Sequence, residues 1–234
     1  MKFGIIGAMD EEIAGLKSKM EIIETTKIAG CEFFRGQICG REVVLVKCGI
    51  GKVNAAVCTQ ALIDRFAPDY IINTGVAGSM DEKASIGDII VSNELVQHDF
   101  DTTAFGNYEA GQIPRLDMRF FKADERLSRA ALGTSIVEHK MLKGRIATGD
   151  QFIADKGHKE KIKELFDPLC VEMEGASIAQ TCYLNDVPFV VIRAVSDNSD
   201  GSADISFEKF LSLAARNSSL IVEEILQSLD MPQN

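Results

Sequence analysis

The chain has 234 residues, with 35 acidic against 25 basic side chains and a formal net charge of −10 at pH 7. That acidity, without any basic run, excludes a nucleic-acid binder, which needs clustered Lys and Arg to hold phosphates. No stretch approaches the ~20 apolar residues of a transmembrane helix, so neither a membrane nor a nucleic acid is an expected partner.

Residues 3–8 form a short apolar run that reads as a strand. Asp10-Glu11-Glu12 ends it too early for a signal-peptide core and opens a helix with Ile13, Leu16 and Met20 at helical spacing. Segments 32–38 and 42–47 are predicted to pair across the turn Cys39-Gly40-Arg41. After Gly49-Ile50-Gly51 a helix is expected as far as Phe66, burying Val53, Val57 and Leu62. Pro68 restarts the chain into a strand at 70–72, followed by Gly75-Val76-Ala77-Gly78, a tight backbone that a ligand can approach closely. Strands at 88–92 and 95–98 precede a polar loop from 101 to about 118, long enough to be functional. The rhythm then resumes with a helix at 123–138, a strand at 143–148, a helix at Lys156–Phe166, a strand at 170–173, a helix at 174–185 and a buried strand at 188–195. A final helix at 206–229 carries Phe207, Phe210, Leu211, Ala214, Ile221 and Ile225 on one stripe.

This alternation, with no repeat or linker, predicts one α/β domain spanning residues 1–234, a sheet between layers of helices. The six cysteines (31, 39, 48, 58, 170 and 182) are scattered without a Cys-x-x-Cys pair, which fits reduced thiols and a cytoplasmic location. His98, His139 and His158 are too widely spaced for a helical zinc pair, and no metal is expected.

In α/β sheets ligands bind where strands end. Four such junctions carry suggestive residues: Gly7 to Glu12, Asn73 to Gly78, Val171 to Gly175 and Arg193 to Asp197. Three of them bring carboxylates. Each acid also has a plain structural reading, as a first-turn residue favoured by the helix dipole or as a turn cap. Their joint placement at strand ends is what points to a site. The loop Gly49-Ile50-Gly51-Lys52-Val53-Asn54 lacks the third glycine of a dinucleotide fingerprint, and Lys52 lacks the glycine spacing of a P-loop. A neutral ligand therefore fits better than a phosphorylated one.

The motifs Gly4-Ile5-Ile6-Gly7-Ala8-Met9-x-Glu11-Glu12, Gly49-Ile50-Gly51-Lys52-Val53, Ile71-Ile72-Asn73-Thr74-Gly75-x-Ala77-Gly78, Thr103-Ala104-Phe105-Gly106, Val171-Glu172-Met173-Glu174 and Ser196-Asp197 occur in that order. With them the chain closely resembles the bacterial 5′-methylthioadenosine/S-adenosylhomocysteine nucleosidases of the purine nucleoside phosphorylase-like superfamily, over nearly its whole length. The resemblance implies a three-layer α/β/α sandwich with a central mixed, twisted sheet. It implies hydrolysis of the N-glycosidic bond between adenine and a 5′-thio-substituted ribose, including methylthioadenosine, adenosylhomocysteine and 5′-deoxyadenosine, without cofactor or metal. Glu12 matches the base that activates water, Asp197 the acid that protonates adenine at N7, and Glu174 the carboxylate on the ribose hydroxyls. Phe152 and Ile153 resemble the adenine-stacking and backbone-reading pair. Met173 and Phe207 would pack the nucleoside, and Met9 and Ile50 the thioalkyl side. Ala77, Gly78, Glu172 and Ser196 complete the substrate-binding set. Phe105 would reach into a partner subunit's pocket, which implies a homodimer. Val76 departs from the Ser or Thr common in the family, and the loop near Asn107-Tyr108 is one residue longer.

A phosphorylase of the same superfamily is the nearest rival, but it needs positive charge for a dianion, and Asn73-Thr74-Gly75 brings none while the acids Asp10 to Glu12 would repel it. A nucleosidase for another adenine-like substrate, such as aminodeoxyfutalosine, shares the motifs. A non-catalytic nucleoside-binding protein would be expected to lack Glu12 or Asp197. A dinucleotide-dependent reductase rests only on Gly49-Ile50-Gly51.

Overall fold

A computed structural model describes residues 1–116, 118–134, 139–198 and 203–229, without the side chains of 203–209. The first half contains β1 (Lys2–Gly7), α1 (Asp10–Lys19), β2 (Glu21–Ile28), β3 (Cys31–Ile38), β4 (Arg41–Lys47), α2 (Lys52–Phe66), β5 (Tyr70–Ser79) and β6 (Ile89–Gln97). After a 3-10 turn at Thr103–Phe105 come β7 (Phe121–Lys122), α3 (Glu125–Leu132), β8 (Met141–Thr148), α4 (Lys156–Phe166), β9 (Cys170–Glu172), α5 (Gly175–Leu184), β10 (Phe189–Asp197) and α6 (Ala203–Ser228).

Among the described residues, all ten strands belong to one mixed sheet, ordered β10-β6-β8-β9-β5-β1-β4-β3-β2 with β7 beside β6. Strands β1, β4, β5 and β10 run parallel, and β5 is buried along its whole length. Continuous Val and Ile runs suit such strands because helices cover both faces. A second pairing of β10 with β5 makes the sheet curl back on itself, so that β10, β6, β8, β9 and β5 close a ring from which β1, β4, β3 and β2 extend. On one face α6 lies over β10 and β5, flanked by α1 and α3, while α2 and α5 pack together on the other. Helix α4 covers a smaller apolar cluster, in which Ile162 and Phe166 meet Met80, Val96, Ala147, Ile153 and Val171. Among the described residues no helix is long and apolar enough to cross a membrane.

Several elements differ from the sequence expectation for identifiable reasons. The two strands expected at 88–92 and 95–98 are one strand, β6, whose register shifts between Ser92 and Glu94; a bulge lets the polar Asn93-Glu94 interrupt the apolar pattern without ending the ladder. Residues Gly75 to Gly78 lie within β5 rather than in a loop. The edge strand β2 is not evident in the sequence, because the isoleucines of Glu21–Ile28 do not alternate with polar residues, and Ile22 and Ile23 are exposed at the edge. The helix expected at 123–138 is shorter: α3 ends at Leu132 with Gly133 as its C-cap, and residues 135–138 lie outside the described residues. Helix α2 buries Ala55, Cys58, Thr59, Leu62 and Phe66, a stripe at helical spacing. Leu62 is buried as expected, whereas Val53 and Val57 are on the opposite face, 74% and 47% exposed.

Candidate active site

Strand β1 delivers the chain to the start of α1, and Glu12 occupies the third position of that helix. Its Oε2 accepts the backbone N–H of Ala8 (2.6 Å) and Met9 (3.1 Å), and its Oε1 accepts the N–H of Val76 from β5 (3.0 Å). The reach back to the helix start resembles a capping interaction; the bond across to β5 does not serve the helix at all. Burial raises the Glu12 carboxyl above its ordinary range, and the opposing pull of Arg193 and of the three N–H groups does not cancel it.

Arg193 projects from the middle of β10 and is almost fully buried. Its Nη2 donates to Glu172 Oε2 and to Asn73 Oδ1 (2.7 Å), and lies 3.7 Å from Glu174 Oε2. Asn73 is itself fixed by donating to the carbonyl of Ile6 (2.9 Å). Glu172 is engaged on both oxygens: Oε2 also accepts the N–H of Glu174 (3.0 Å) and Gly175 (2.7 Å), and Oε1 accepts the hydroxyl of Thr148. Two of the guanidinium nitrogens, Nε and Nη1, are buried without a hydrogen-bond partner among the described residues. Nη1 and Glu12 Oε1 converge on one point above Gly75, where a Cβ would collide with both. A glycine is therefore required there, for access and not for backbone freedom.

Strand β9 runs antiparallel to β5, with Val171 opposite Gly78, which leads the chain after Glu172 back along β5. Glu174 is thereby placed beside Arg193, and its Oε1 accepts the N–H of Gly51 (2.9 Å). Burial first, and the neighbouring Glu172 charge second, push the Glu174 carboxyl up to about 8. Four residues beyond Arg193, Asp197 ends β10 opposite Gly78, buried. The Ser196 hydroxyl donates to Asp197 Oδ1 (2.8 Å) and lies 3.3 Å from the carbonyl of Ala77.

The structure thus gathers Glu12, Glu172 and Glu174 around Arg193, with Ser196, Asp197, Ala77 and Gly78 on the same two adjoining strands, β5 and β10. Met9 caps α1 and is half-buried, as is Met173. Phe152 and Ile50 are exposed, whereas the side chain of Ile153 is buried in the cluster beneath α4. Phe105 stands in the 3-10 turn, 73% exposed. The side chain of Phe207 lies outside the described residues. Asn73-Thr74-Gly75 brings no positive charge, as expected, but Arg193 from the fourth junction supplies one to the site. Its signal was present as the only charge in the run Phe189 to Val195, since a buried strand retains a charge only where it is paired. The cation does not make a dianion site, because Glu12, Glu172 and Glu174 face it.

A family model, the phosphorylase superfamily, matches residues 2–227. The 5′-methylthioadenosine/S-adenosylhomocysteine nucleosidase of Psychromonas ingrahamii is 48% identical over 233 residues, covering 98% of this chain and 100% of that one. A crystal structure of the Neisseria meningitidis nucleosidase of the same name, in complex with methylthio-immucillin-A, superposes with a TM-score of 0.94 at 41% identity, over 97% of this chain and 99% of that one. The futalosine hydrolase of Helicobacter pylori superposes with a TM-score of 0.92 at 35% identity, over 98% of each chain. The chain belongs to the phosphorylase superfamily and, within it, to the 5′-methylthioadenosine/S-adenosylhomocysteine nucleosidases.

Proposed function

We propose that this single-domain protein hydrolyses the N-glycosidic bond of 5′-methylthioadenosine and S-adenosylhomocysteine, with Glu12 as general base, Asp197 as general acid and Glu174 on the ribose hydroxyls. The carrying observation is that Glu12 Oε1 and Arg193 Nη1, the latter without a partner among the described residues, both close on Gly75 from the same side of β5. A buried carboxylate beside a guanidinium N–H without a protein partner among the described residues suits the binding of a water molecule, which gives its proton to the carboxylate and directs a lone pair at the sugar. Bond cleavage develops cationic charge on the sugar and electrons on adenine, so an acid and a base on opposite sides of the bond meet both demands. Asp197, oriented by Ser196, supplies the proton that lets adenine leave neutral. Glu12, raised by burial, is a stronger base than a free glutamate. Glu172 acts through Arg193, which it holds in place.

The test is adenine release from methylthioadenosine with and without phosphate. Adenine and free methylthioribose, at a rate indifferent to phosphate, are expected from a site where one guanidinium faces three carboxylates. Phosphate dependence, with the sugar recovered as its 1-phosphate, would overturn the hydrolytic reading.

A homodimer in the cytoplasm completes the proposal. The exposed apolar side chains Ile50, Val53, Val57 and Phe105 suit cover by a second copy, and six free cysteines suit a reducing compartment. Val53→Asp is expected to yield monomers in sedimentation analysis. It should also lower kcat/KM, because a partner's Phe105 contact is worth about 1.5–3 kcal/mol when buried, roughly tenfold or more. A fully active monomer would show that each pocket is complete within one chain.

A further inference from the structure

Three residues outside the carboxylate–arginine cluster close a ring of hydrogen bonds. The backbone N–H of Lys52 donates to Asp150 Oδ1 (2.8 Å), the backbone N–H of Asp150 donates to Asp99 Oδ2 (2.9 Å), and Asp99 Oδ1 accepts from Lys52 Nζ (2.6 Å). The ring joins the start of α2, the segment after β6 and the segment after β8. Lys52 is held from its other sides as well: Nζ donates to Gln97 Oε1 (3.1 Å), and its carbonyl accepts the hydroxyl of Ser177 on α5 (2.8 Å). The Lys52 and Asp99 side chains are only 17% and 18% exposed, so this pair is shielded more than an ordinary surface ion pair. Burial would raise the Asp99 carboxyl, but the Lys52 ammonium and the Asp150 N–H outweigh it and hold it below its usual range.

The ring also has a direction. Gly51 and Lys52 present consecutive N–H groups to two different carboxylates, Glu174 on one side and Asp150 on the other. Gly51 has φ +97°, and a Cβ there would sit 3.1 Å from Asp150 Oδ1. On the far side the His98 ring is packed so closely against Gly149 that a Cβ on Gly149 would collide with it. Gly149 and Asp150, which open the 149–153 segment, are thus held from both flanks and tied through Gly51 and Lys52 to Glu174.

We propose that the Lys52–Asp99–Asp150 ring is a positioning device that sets the 149–153 segment, as the adenine-holding wall, in register with the ribose carboxylate Glu174. This rests on the nucleosidase reading, which assigns adenine to Phe152 and Ile153. None of the three residues is a catalytic residue, so the chemical step itself should be spared.

The experiment compares Lys52→Met, Asp99→Asn and the double variant, measuring kcat and KM for methylthioadenosine, and Kd for adenine by calorimetry. Each single variant is expected to raise both KM and the adenine Kd about tenfold while kcat stays within about threefold, and the double variant to be no worse than either single, as for one coupled unit. Lys52→Arg should restore most of the affinity. An unchanged adenine Kd in a folded variant, or single effects that multiply in the double variant, would overturn the ring. If Asp99→Asn does not fold, Lys52→Met, which keeps the aliphatic stem, decides the matter by the same KM-against-kcat split. Wild-type turnover is measured alongside. Turnover by the wild type with no effect of the variants defeats the ring alone, whereas adenine binding without wild-type turnover defeats the nucleosidase reading and leaves the ring to stand or fall on the adenine Kd.

Discussion

Glu12→Gln is expected to lower kcat by roughly 10²–10⁴-fold, the usual worth of a general base. The amide cannot take the proton that water must lose as it adds to the sugar. The geometry adds a second consequence. Both oxygens of Glu12 accept backbone N–H groups, two at Oε2 and one at Oε1. A glutamine placed either way turns its own NH2 toward a backbone N–H, leaving a buried donor unsatisfied at about 1–3 kcal/mol. Activity must therefore be read on protein shown to be folded and to bind adenine. Retention of substantial turnover by such protein would remove Glu12 from the mechanism. Asp197→Asn should fail to a similar degree, through the loss of the proton delivered to adenine. The pH profile gives an independent check. Glu12 must be ionised to act, and burial raises its carboxyl above the ordinary glutamate range, so kcat/KM should fall with decreasing pH along a limb above that range. A limb at the ordinary value would mean that the group responsible is exposed, which Glu12 is not.

Much of this site was legible before the fold, for a physical reason. Glu12, Glu174 and Asp197 each come within three residues of the end of an apolar run, and an acid at such a junction stands at or near a strand end whatever the topology. The order of the sheet was not legible. Nothing local says that β10 pairs with both β5 and β6, and that closure is what brings the Arg193 side chain from one strand to the Glu172–Glu174 turn of another. Arg193 stands in the sequence at the fourth junction, but a charge in an apolar run does not name its partners; Gly75-Val76-Ala77-Gly78 reads as a tight backbone open to a ligand, and it is a strand that lacks a side chain at Gly75 to admit two others. The face of α2 was misjudged for a related reason. Val53 and Val57 are more hydrophobic than Ala55, Cys58 and Thr59, and hydrophobicity alone chose the larger side chains. The buried face instead carries small residues, which let α2 and α5 approach closely. The face left outside, with Val53 and Val57, is the one proposed above to meet a second copy.

Arg193→Met should be the most damaging single change to stability in the site. The methionine fills part of the volume but takes the cation from Glu172, Glu174 and Glu12 at once, and the donor from Asn73 Oδ1. Removing one partner of a buried ion pair costs about 3–5 kcal/mol, roughly 10 °C in melting temperature for a chain of this size. The cost depends on pH, and its sign follows from the carboxyls. Glu12 and Glu174 already have carboxyls raised by burial, and Arg193 is among the groups pulling them back down. Without the cation they rise further. A group whose folded-state pKa exceeds its unfolded value stabilises below the unfolded value and loses that contribution as pH rises through the folded one. The variant should thus melt closest to the wild type near pH ~5, where the buried carboxyls can take up protons, and fall progressively behind by pH ~8. Thermal unfolding of both proteins across that range measures the gap directly. A deficit of constant size at every pH would show that the loss is one of packing alone, and that the carboxylates do not depend on Arg193 for their charge.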